Sequence, residues 1–241
     1  MYGIIGYPLL QTFSPGYFTK KFEELGVQDT YEKFPLDKIE DLKQVLAQHP
    51  DLKGMNVTIP YKQEVIALLD ELDETAKQIG AVNTISIKNG KLKGYNTDAI
   101  GFINSLKPLL RPQHNKALIL GTGGASKAVA YALKQLDISY RLVSRSNKEG
   151  HLFYTDLDEA IIRDHKLIIN TTPLGMVPQE NTYPDIPYSL LTQEHLLYDL
   201  IYFPEETIFL QKGQEHGAAI KNGYEMLIGQ AEAAWEIWQQ D

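Results

Sequence analysis

A lysine and an aspartate each stand at the end of a short segment that contains other polar residues. Lys62 closes NVTIPYK, and Asp98 follows GYNT. A lysine ammonium can give a proton to a developing alkoxide and stabilise its negative charge, and a carboxylate can hold that ammonium in place or bind a substrate hydroxyl. The two side chains could therefore assist the reduction of a ketone by hydride. Two simpler interpretations stay open, a solvated lysine in the first turn of a helix and an N-cap aspartate for DAIGFINSL.

Other polar side chains follow segments that are predicted to be strands. Open α/β sheets bind their ligands at the carboxyl ends of the strands. The sequence therefore predicts a polar ligand site at this edge, and its candidate residues are Thr12, Ser14, Thr58, Lys62, Asn83, Asn96, Thr97 and Asp98.

A glycine-rich turn joins an apolar segment to a helical pattern in LILGTGGASKAVAYAL. Its three glycines are Gly121, Gly123 and Gly124. Glycines at such a turn let the backbone approach a pyrophosphate at a helix N-terminus, as in the dinucleotide-binding fingerprint. Ser126 occupies the third glycine position of that fingerprint, and a tight turn without a ligand is the alternative. The strand before, the helix after and the second strand SYRLVSR favour nucleotide binding.

The end of that second strand indicates which dinucleotide binds. An NAD site needs an Asp or Glu about 20 residues after the turn, because it accepts a hydrogen bond from the ribose 2′-hydroxyl. Here the chain carries Arg145 and then Lys148. The planar guanidinium of Arg145 suits a phosphate, and Lys148 adds a second positive charge. An exposed basic turn is the alternative, but its position after the glycines favours NADP.

Strand and helix patterns alternate almost throughout, which predicts an α/β fold. Predicted strands cover residues 2–7, 29–36, 52–60, 116–121, 139–145, 165–170, 195–202 and 218–223, and residues 81–97 form a hairpin that turns at Asn89-Gly90. Predicted helices cover residues 14–26, 37–48 with Asp37 as the N-cap, 61–72, 98–106, 125–136, 204–217 and 224–240. A polar, proline-containing stretch at residues 109–115 separates two such series and is interpreted as the domain boundary.

The composition narrows the class of protein. The chain has 241 residues, a net charge of −8 and no cysteine. The negative charge argues against nucleic-acid binding, and no apolar run approaches the length of a membrane span. The absence of disulfides and thiolates fits a cytoplasmic protein, and no signal peptide is predicted. The six histidines are scattered without metal-ligand spacing, so no metal site is predicted.

Seven motifs resemble those of the shikimate dehydrogenase family, in order along the whole chain. They are NVTIPYK, AVNT, GYNTDAIGF, GTGGASKA, NTTPLGM, YDLIY and NGYEMLIGQA. The resemblance implies NADP-linked interconversion of shikimate and 3-dehydroshikimate in the biosynthesis of chorismate and aromatic amino acids. It implies Lys62 and Asp98 as the catalytic pair. The expected partner is this small-molecule substrate, with the protein as a monomer or a homodimer.

The resemblance also implies a two-domain architecture around a cleft. Residues 1–101 are expected to form a substrate-binding and catalytic domain with a mainly parallel sheet. Residues 102–221 are expected to form a Rossmann-like NADP domain. The C-terminal helix, residues 222–241, is expected to pack back on the first domain. Predicted substrate contacts are Thr12, Ser14, Thr58, Asn83, Tyr202 and Gln230. Predicted cofactor contacts are Gly121, Gly123, Gly124, Ala125, Ser144, Arg145, Lys148, Thr171, Gly223 and Met226.

The chain departs from the family pattern at three places. The family usually has His-Ser-x-Ser-Pro where this chain has Gln11-Thr12-Phe13-Ser14-Pro15. The family's turn on the adenine side commonly reads Asn-Arg-Thr, and Ser144-Arg145-Ser146 shares only the arginine with it. Glu225 occupies a position where a glycine is usual. The added methyl of Thr12 leaves quinate open as a substrate beside shikimate, and a non-catalytic sensor that binds NADP or shikimate is a further alternative.

Overall fold

The computed structural model describes residues 1–9, 12–146 and 150–240. The chain divides into two compact units, Met1–Thr97 with Ala231–Asp241, and Asp98–Gln230. The second unit begins at Asp98, so it contains residues 98–101, which were expected in the first domain, and the stretch 109–115, which was interpreted as the boundary. The last helix contributes to both units. The α/β class with two parallel-rich sheets is confirmed. The assignment of one unit to the substrate and the other to the cofactor stays a prediction.

The first unit contains a six-stranded sheet in the order β2-β1-β3-β5-β6-β4. Its strands are β1 (Tyr2–Gly6), β2 (Tyr31–Pro35), β3 (Gly54–Val57), β4 (Glu71–Leu72), β5 (Thr84–Lys88) and β6 (Lys91–Tyr95). β1 is parallel to β2 and β3, whereas β5 is antiparallel to β3 and β6. The predicted hairpin is confirmed, because Asn89 and Gly90 have the positive φ values, 51° and 76°, that its turn requires.

Helices that accompany this sheet are α1 (Phe13–Leu25), α2 (Leu42–Gln48) and α3 (Glu74–Ile79). Gly26 closes α1 in the left-handed region, with φ of 67°, as its position in the sequence predicts. The prediction that Asp37 caps the second helix is wrong. A 3-10 segment, Ile39–Asp41, comes first, and α2 starts from it without a side-chain cap.

The predicted helix over residues 61–72 is also wrong. Only Glu64–Leu68 is helical, as a 3-10 segment, and the chain then becomes strand β4. The Asp70 N–H donates to the Leu92 carbonyl at 2.9 Å, and the Asp70 carboxylate accepts from the Leu92 N–H at 2.7 Å. This pairing with β6 takes the backbone bonds that a longer helix would need. Helix α3, which follows, was not predicted.

The end of the last helix, α8 (Tyr224–Gln239), completes an aromatic cluster in the first unit. Trp238 stacks on Tyr2 with ring centroids 4.7 Å apart, and its Nε1 donates to the Ile85 carbonyl at 2.9 Å. Gly54 makes room for it, because a Cβ on Gly54 would lie 2.2 Å from Trp238 Nε1. Phe18 adds a ring at 5.2 Å from Trp238.

The second unit contains a six-stranded sheet in the order β12-β11-β10-β7-β8-β9, with every pair parallel. Its strands are β7 (Lys116–Leu120), β8 (Ser139–Ser144), β9 (Leu152–Phe153), β10 (Leu167–Asn170), β11 (Leu196–Asp199) and β12 (Ala219–Lys221). Read from β9, this is the order of a doubly wound dinucleotide-binding sheet. From β7, successive strands are added first on one side, as β8 and β9, and then on the other, as β10, β11 and β12. The Rossmann-like prediction is therefore confirmed.

The helices of this unit, apart from its share of α8, are α4 (Asp98–Leu106), α5 (Gly124–Gln135), α6 (Glu159–Asp164) and α7 (Ile208–Glu215). The short elements β9 and α6 were not predicted. Across residues 1–9, 12–146 and 150–240, no helix is long and apolar enough to span a membrane.

Candidate active site

The glycine turn follows β7, where the strand order of the second sheet changes direction. Gly121 has φ of 103°, and a Cβ on it would lie 2.9 Å from Thr171 Oγ1 and 3.0 Å from Thr172 Cγ2. A Cβ on Gly123 would meet no other heavy atom within 4 Å among the described residues. The backbone at the start of α5 is thus open to a phosphate, which fits a dinucleotide.

The residues around this turn are held by short hydrogen bonds. The N–H and Oγ1 of Thr171 both donate to the Leu120 carbonyl, at 2.9 and 2.7 Å. Ser126, at the third glycine position, donates to the Gly123 carbonyl at 2.6 Å. Ala125 lies beside it in the first turn of α5. The structure therefore brings the predicted pyrophosphate contacts together, and Ser126 serves the turn rather than preventing it.

Arg145 directly follows β8 and its side chain is exposed. Beside it, Ser144 accepts from the Ser146 N–H at 3.2 Å. Burial raises the pKa of Tyr154 to about 12, and the nearby Arg145 charge acts in the opposite direction. The predicted contact Lys148 lies outside the described residues. The turn after β8 carries an arginine where an NAD site would carry a carboxylate, which fits a 2′-phosphate.

Three predicted residues of the first unit meet where β3 ends and β5 begins. The Lys62 carbonyl accepts from the Val82 N–H at 2.7 Å, and the Asn83 carbonyl accepts from the Val57 N–H at 2.8 Å. Thr58 follows Val57 directly. The backbone therefore brings Thr58, Lys62 and Asn83 together.

Lys62 lies in a turn that precedes the 3-10 segment Glu64–Leu68. Lys62 therefore lies outside any α-helix, and the choice between a solvated and a catalytic lysine stays a prediction. Thr58 packs over Gly6, since a Cβ on Gly6 would lie 2.4 Å from Thr58 Cγ2. This close approach joins the end of β3 to the end of β1.

The side chain of Asn83 is fixed by Thr97. Asn83 Oδ1 accepts from the Thr97 N–H at 2.7 Å, and Asn83 Nδ2 donates to Thr97 Oγ1 at 2.9 Å. Because a backbone N–H can only donate, these bonds define which side of the amide carries the oxygen. Asn96 donates to the Ala81 carbonyl at 2.9 Å. Both asparagines thus tie the end of β6 to the segment before β5.

A row of buried polar side chains continues from Asn83 across the sheet. Tyr31 donates to Asn56 Oδ1 at 2.6 Å, and Asn56 Nδ2 lies 3.3 Å from Thr84 Oγ1 and 3.4 Å from the Asn83 carbonyl oxygen. Burial raises the pKa of Tyr31 well above its usual value, opposed by a hydrogen bond with Ser14. The row therefore links Ser14, at the start of α1, to Asn83.

Thr12 occupies the N-cap position of α1 without capping it. Its backbone is extended, with φ −128° and ψ 135°, and its side chain makes no capping bond. Thr12 Oγ1 is buried and has no hydrogen-bond partner among the described residues. An unpaired buried hydroxyl costs free energy, so Thr12 is a candidate for bonding to a ligand.

Asp98 is the first residue of α4 and is buried. It lies at the N-terminal end of this helix, where a negative charge is favourable, and its role as an N-cap stays a prediction. Further along α4, a Cβ on Gly101 would lie 2.6 Å from the Met226 oxygen and 2.8 Å from the Gln230 nitrogen. This approach of α4 and α8 brings Met226 and Gln230 against α4.

Gly223 is bonded to the segment that precedes Tyr202 after β11. The Gly223 N–H donates to the Ile201 carbonyl at 2.9 Å. A Cβ on Gly223 would lie 2.1 Å from the Leu200 oxygen, so no other residue fits here. Burial raises the pKa of Tyr202. Of the predicted residues, the first unit holds Thr12, Ser14, Thr58, Lys62 and Asn83, and the second unit holds Asp98, Tyr202, Gln230 and the cofactor contacts. Within the described ranges, no three His, Asp or Glu side chains are grouped as metal ligands.

Comparison with known proteins gives a family. The sequence model of the shikimate dehydrogenase substrate binding domain matches residues 4–85. Shikimate dehydrogenase (NADP(+)) of Methanosphaera stadtmanae is 36% identical, over 98% of this chain and 90% of the relative. The chain belongs to the shikimate dehydrogenase family. The relationship to this family extends over both units, because the relative aligns with nearly the whole chain.

Solved structures of the shikimate dehydrogenase family have the same fold. The enzyme from Aquifex aeolicus has a TM-score of 0.87 at 36% identity and covers 99% of this chain and 91% of its own. A shikimate 5-dehydrogenase from Thermus thermophilus, in complex with NADP(H) and shikimate, has a TM-score of 0.87 at 30% identity, with 99% and 92% covered. The family's two-domain fold is therefore that of this chain.

Two buried residues of this family member were missed as parts of the site by sequence reasoning. Tyr31 lies in a strand whose pattern predicts only a strand. Asp199 lies in the quoted motif YDLIY and is fully buried, and burial raises its pKa to about 6. A carboxylate at the end of an apolar strand was the available signal for Asp199. Nothing in the sequence distinguished Tyr31 from a core tyrosine.

We predict that Tyr31→Phe lowers the free energy of unfolding by about 1–3 kcal/mol, because it leaves the buried Asn56 oxygen without its donor. Tyr2→Phe is the matched control, since that hydroxyl accepts a long bond from Gln239, at 3.3 Å. Urea unfolding of both variants measures the difference. Equal stability of the two variants would contradict the role given to the Tyr31 hydroxyl.

Proposed function

We propose that this protein reduces 3-dehydroshikimate to shikimate reversibly with NADPH. The observation that carries the proposal is the convergence of Thr58, Lys62 and Asn83 at one edge of the first unit, in a chain of the shikimate dehydrogenase family. The open turn at Gly123 and the exposed Arg145 support NADP as the cofactor. The reaction belongs to the biosynthesis of chorismate and the aromatic amino acids.

Proton transfer falls to Lys62. When bound, NADP(H) supplies or accepts the hydride. Lys62 gives a proton to the substrate oxygen during reduction and takes it back during oxidation, and its positive charge stabilises the alkoxide between these states. Asp98 is the second member of the catalytic pair and binds a substrate hydroxyl. Its position in the first turn of α4 keeps this carboxylate on a fixed backbone.

The substrate carboxylate is bound by hydroxyl donors. Thr12 has a buried hydroxyl without a partner among the described residues, and Ser14 lies in the first turn of the same helix. Helix N-termini favour anions, and α1 has 13 residues, long enough for this effect. Asn83, Thr58, Tyr202 and Gln230 bind the remaining polar groups of the substrate.

The cofactor is held by residues of the second unit. Gly121, Gly123, Gly124 and Ala125 receive the pyrophosphate, and Ser144 and Arg145 with Lys148 receive the adenosine 2′-phosphate. Thr171 is a further cofactor contact, and Gly223 and Met226 lie on the nicotinamide side. We further propose a cytoplasmic enzyme that acts as a monomer or a homodimer.

The first test is turnover of shikimate with NADP⁺ by the protein and by Lys62→Ala. We predict that the variant lowers kcat by about two decades or more with a much smaller change in KM for shikimate, because general acid–base assistance acts in the transition state. Lys77→Ala is the control, since Lys77 is an exposed lysine of the same unit in a surface ion pair with Glu74. A near-normal kcat in Lys62→Ala would refute the assignment of Lys62 as the proton donor and acceptor.

Cofactor choice is predicted to follow Arg145. Losing a hydrogen bond to a charged phosphate costs about 1.5–3 kcal/mol, so Arg145→Ala is expected to raise KM for NADP⁺ by about one to two decades and to change KM for NAD⁺ little. Arg163→Ala, at an exposed arginine in α6, is the control. Equal effects of Arg145→Ala on both cofactors would show that Arg145 does not recognise the 2′-phosphate.

Thr12→Val is predicted to move stability and binding in opposite directions. Valine keeps the shape and removes the unpaired hydroxyl, so the ligand-free protein gains about 1 kcal/mol in the free energy of unfolding. The same change removes a donor to the carboxylate and raises KM for shikimate by about one to two decades, with kcat less affected.

Thr12→Ser keeps the donor and serves as the matched control, with KM for shikimate close to that of the parent. Quinate turnover by the same three proteins measures whether the threonine methyl restricts the substrate. A Thr12→Val protein that binds shikimate as tightly as the parent would mean that the carboxylate lies elsewhere.

A further inference from the structure

Asp199, the last residue of β11, carries a carboxylate that binds three separate segments of the second unit. Asp199 Oδ1 accepts from Asn170 Nδ2 at 3.1 Å and from the Ile201 N–H at 3.0 Å. Asp199 Oδ2 accepts from Thr207 Oγ1 at 2.6 Å. Each bond to a charged acceptor is stronger than a neutral one. The carboxylate thus joins the end of β10, the loop after β11 and the start of α7.

One of these donors adjoins a predicted cofactor contact. Asn170 is followed by Thr171, and Asn170 Oδ1 in turn accepts from the N–H and Oγ1 of Thr172, at 3.0 and 2.7 Å. Thr171 and Thr172 are the residues against which Gly121 packs. Asp199 is therefore linked through Asn170 to the glycine turn.

The second donor adjoins a predicted substrate contact. Ile201 is followed by Tyr202, and the Ile201 carbonyl accepts from the Gly223 N–H at 2.9 Å. The Leu200 N–H donates to the Asn170 carbonyl at 3.1 Å, so the same segment is also tied to β10. The third donor, Thr207, caps α7. The carboxylate touches all three segments directly.

We propose that Asp199 is a positioning residue whose carboxylate sets the Thr171 segment and the Tyr202 segment relative to each other. The inference rests on the proposed function, because it takes Thr171 as a cofactor contact and Tyr202 as a substrate contact. Asp199 touches neither ligand. Its effect is on binding, since it fixes the places of two groups that recognise different molecules.

A purely structural role for Asp199 makes a different prediction. A buried aspartate that only stabilises the fold would change ligand binding no more than any other buried residue whose loss lowers the thermal midpoint equally. Ile162, fully buried in α6, provides that comparison, because Ile162→Ala creates a cavity in the same unit. Asn170→Ala provides a second comparison, since it cuts the link to the Thr172 backbone and leaves the Ile201 bond.

The experiment measures the Kd for NADP⁺ by calorimetry, KM for shikimate, kcat and the thermal midpoint. Asp199→Ala is expected to raise both the Kd and KM by about tenfold or more, with kcat within about threefold. Asp199→Asn keeps the Oδ1 bonds and can donate to Thr207 instead of accepting, so both constants are expected to stay within about threefold. Asn170→Ala is expected to raise the Kd for NADP⁺ by about tenfold with KM for shikimate nearly unchanged.

Three outcomes would overturn the proposal. Asp199→Ala could bind both ligands like the parent, Asp199→Asn could be as impaired as Asp199→Ala, or Ile162→Ala could weaken binding as much at the same thermal midpoint. If Asp199→Ala does not fold, the proposal is still tested by Asn170→Ala, in which the Kd for NADP⁺ is expected to rise and KM for shikimate is not. A parent protein that binds NADP⁺ but does not turn over shikimate would refute the proposed function. The Kd values for NADP⁺ would still test the positioning role of Asp199.

Discussion

The pairing of buried polar groups is the constraint on which both units depend. Each sheet ends in polar side chains that are removed from water, and an unpaired group there costs free energy. Asn83 meets this constraint through Thr97, and Asp199 through three donors. The loops that follow the strands are thereby fixed, since they supply the partners. Among the described residues, Thr12 Oγ1 and His151 Nδ1 depart from this rule, and the hydroxyl of Thr12 is therefore a candidate for bonding to a ligand.

Local signals were sufficient where the backbone itself required a particular residue. Asn89-Gly90 supplies two positive φ values, and Gly26 closes α1 in the left-handed region, so both were predictable from the sequence. Residues 61–72 were not, because an apolar run packs equally well as a helix or as a 3-10 segment with a strand. The choice depends on the bonds between Asp70 and Leu92, which lie far apart in the sequence. The helix α3 was missed although both of its ends carry local signals, the N-cap Asp73 and the left-handed Gly80.

Candidate residues were predictable from the sequence, but their support was not. The backbone bonds of Lys62 and Asn83 join segments that were each recognised by their motifs, so the group in the first unit follows from the motifs and the sheet together. Tyr31 and Asp199 carry no local sign of their full set of partners. Their burial and their bonds arise only when distant strands are adjacent, and a single sequence does not encode that adjacency in any short pattern.

The helix that is shared between the units has a consequence for synthesis. Trp238 covers Tyr2 and fills the space left by Gly54, so the aromatic cluster of the first unit is built from both ends of the described chain. The second unit is contiguous, and it can fold as soon as it has been translated. The first unit has to wait with an uncovered apolar surface until residues 231–240 have left the ribosome. In the cell, the part of the chain made first is therefore the part finished last, and its exposed rings are what a chaperone would meet during that interval.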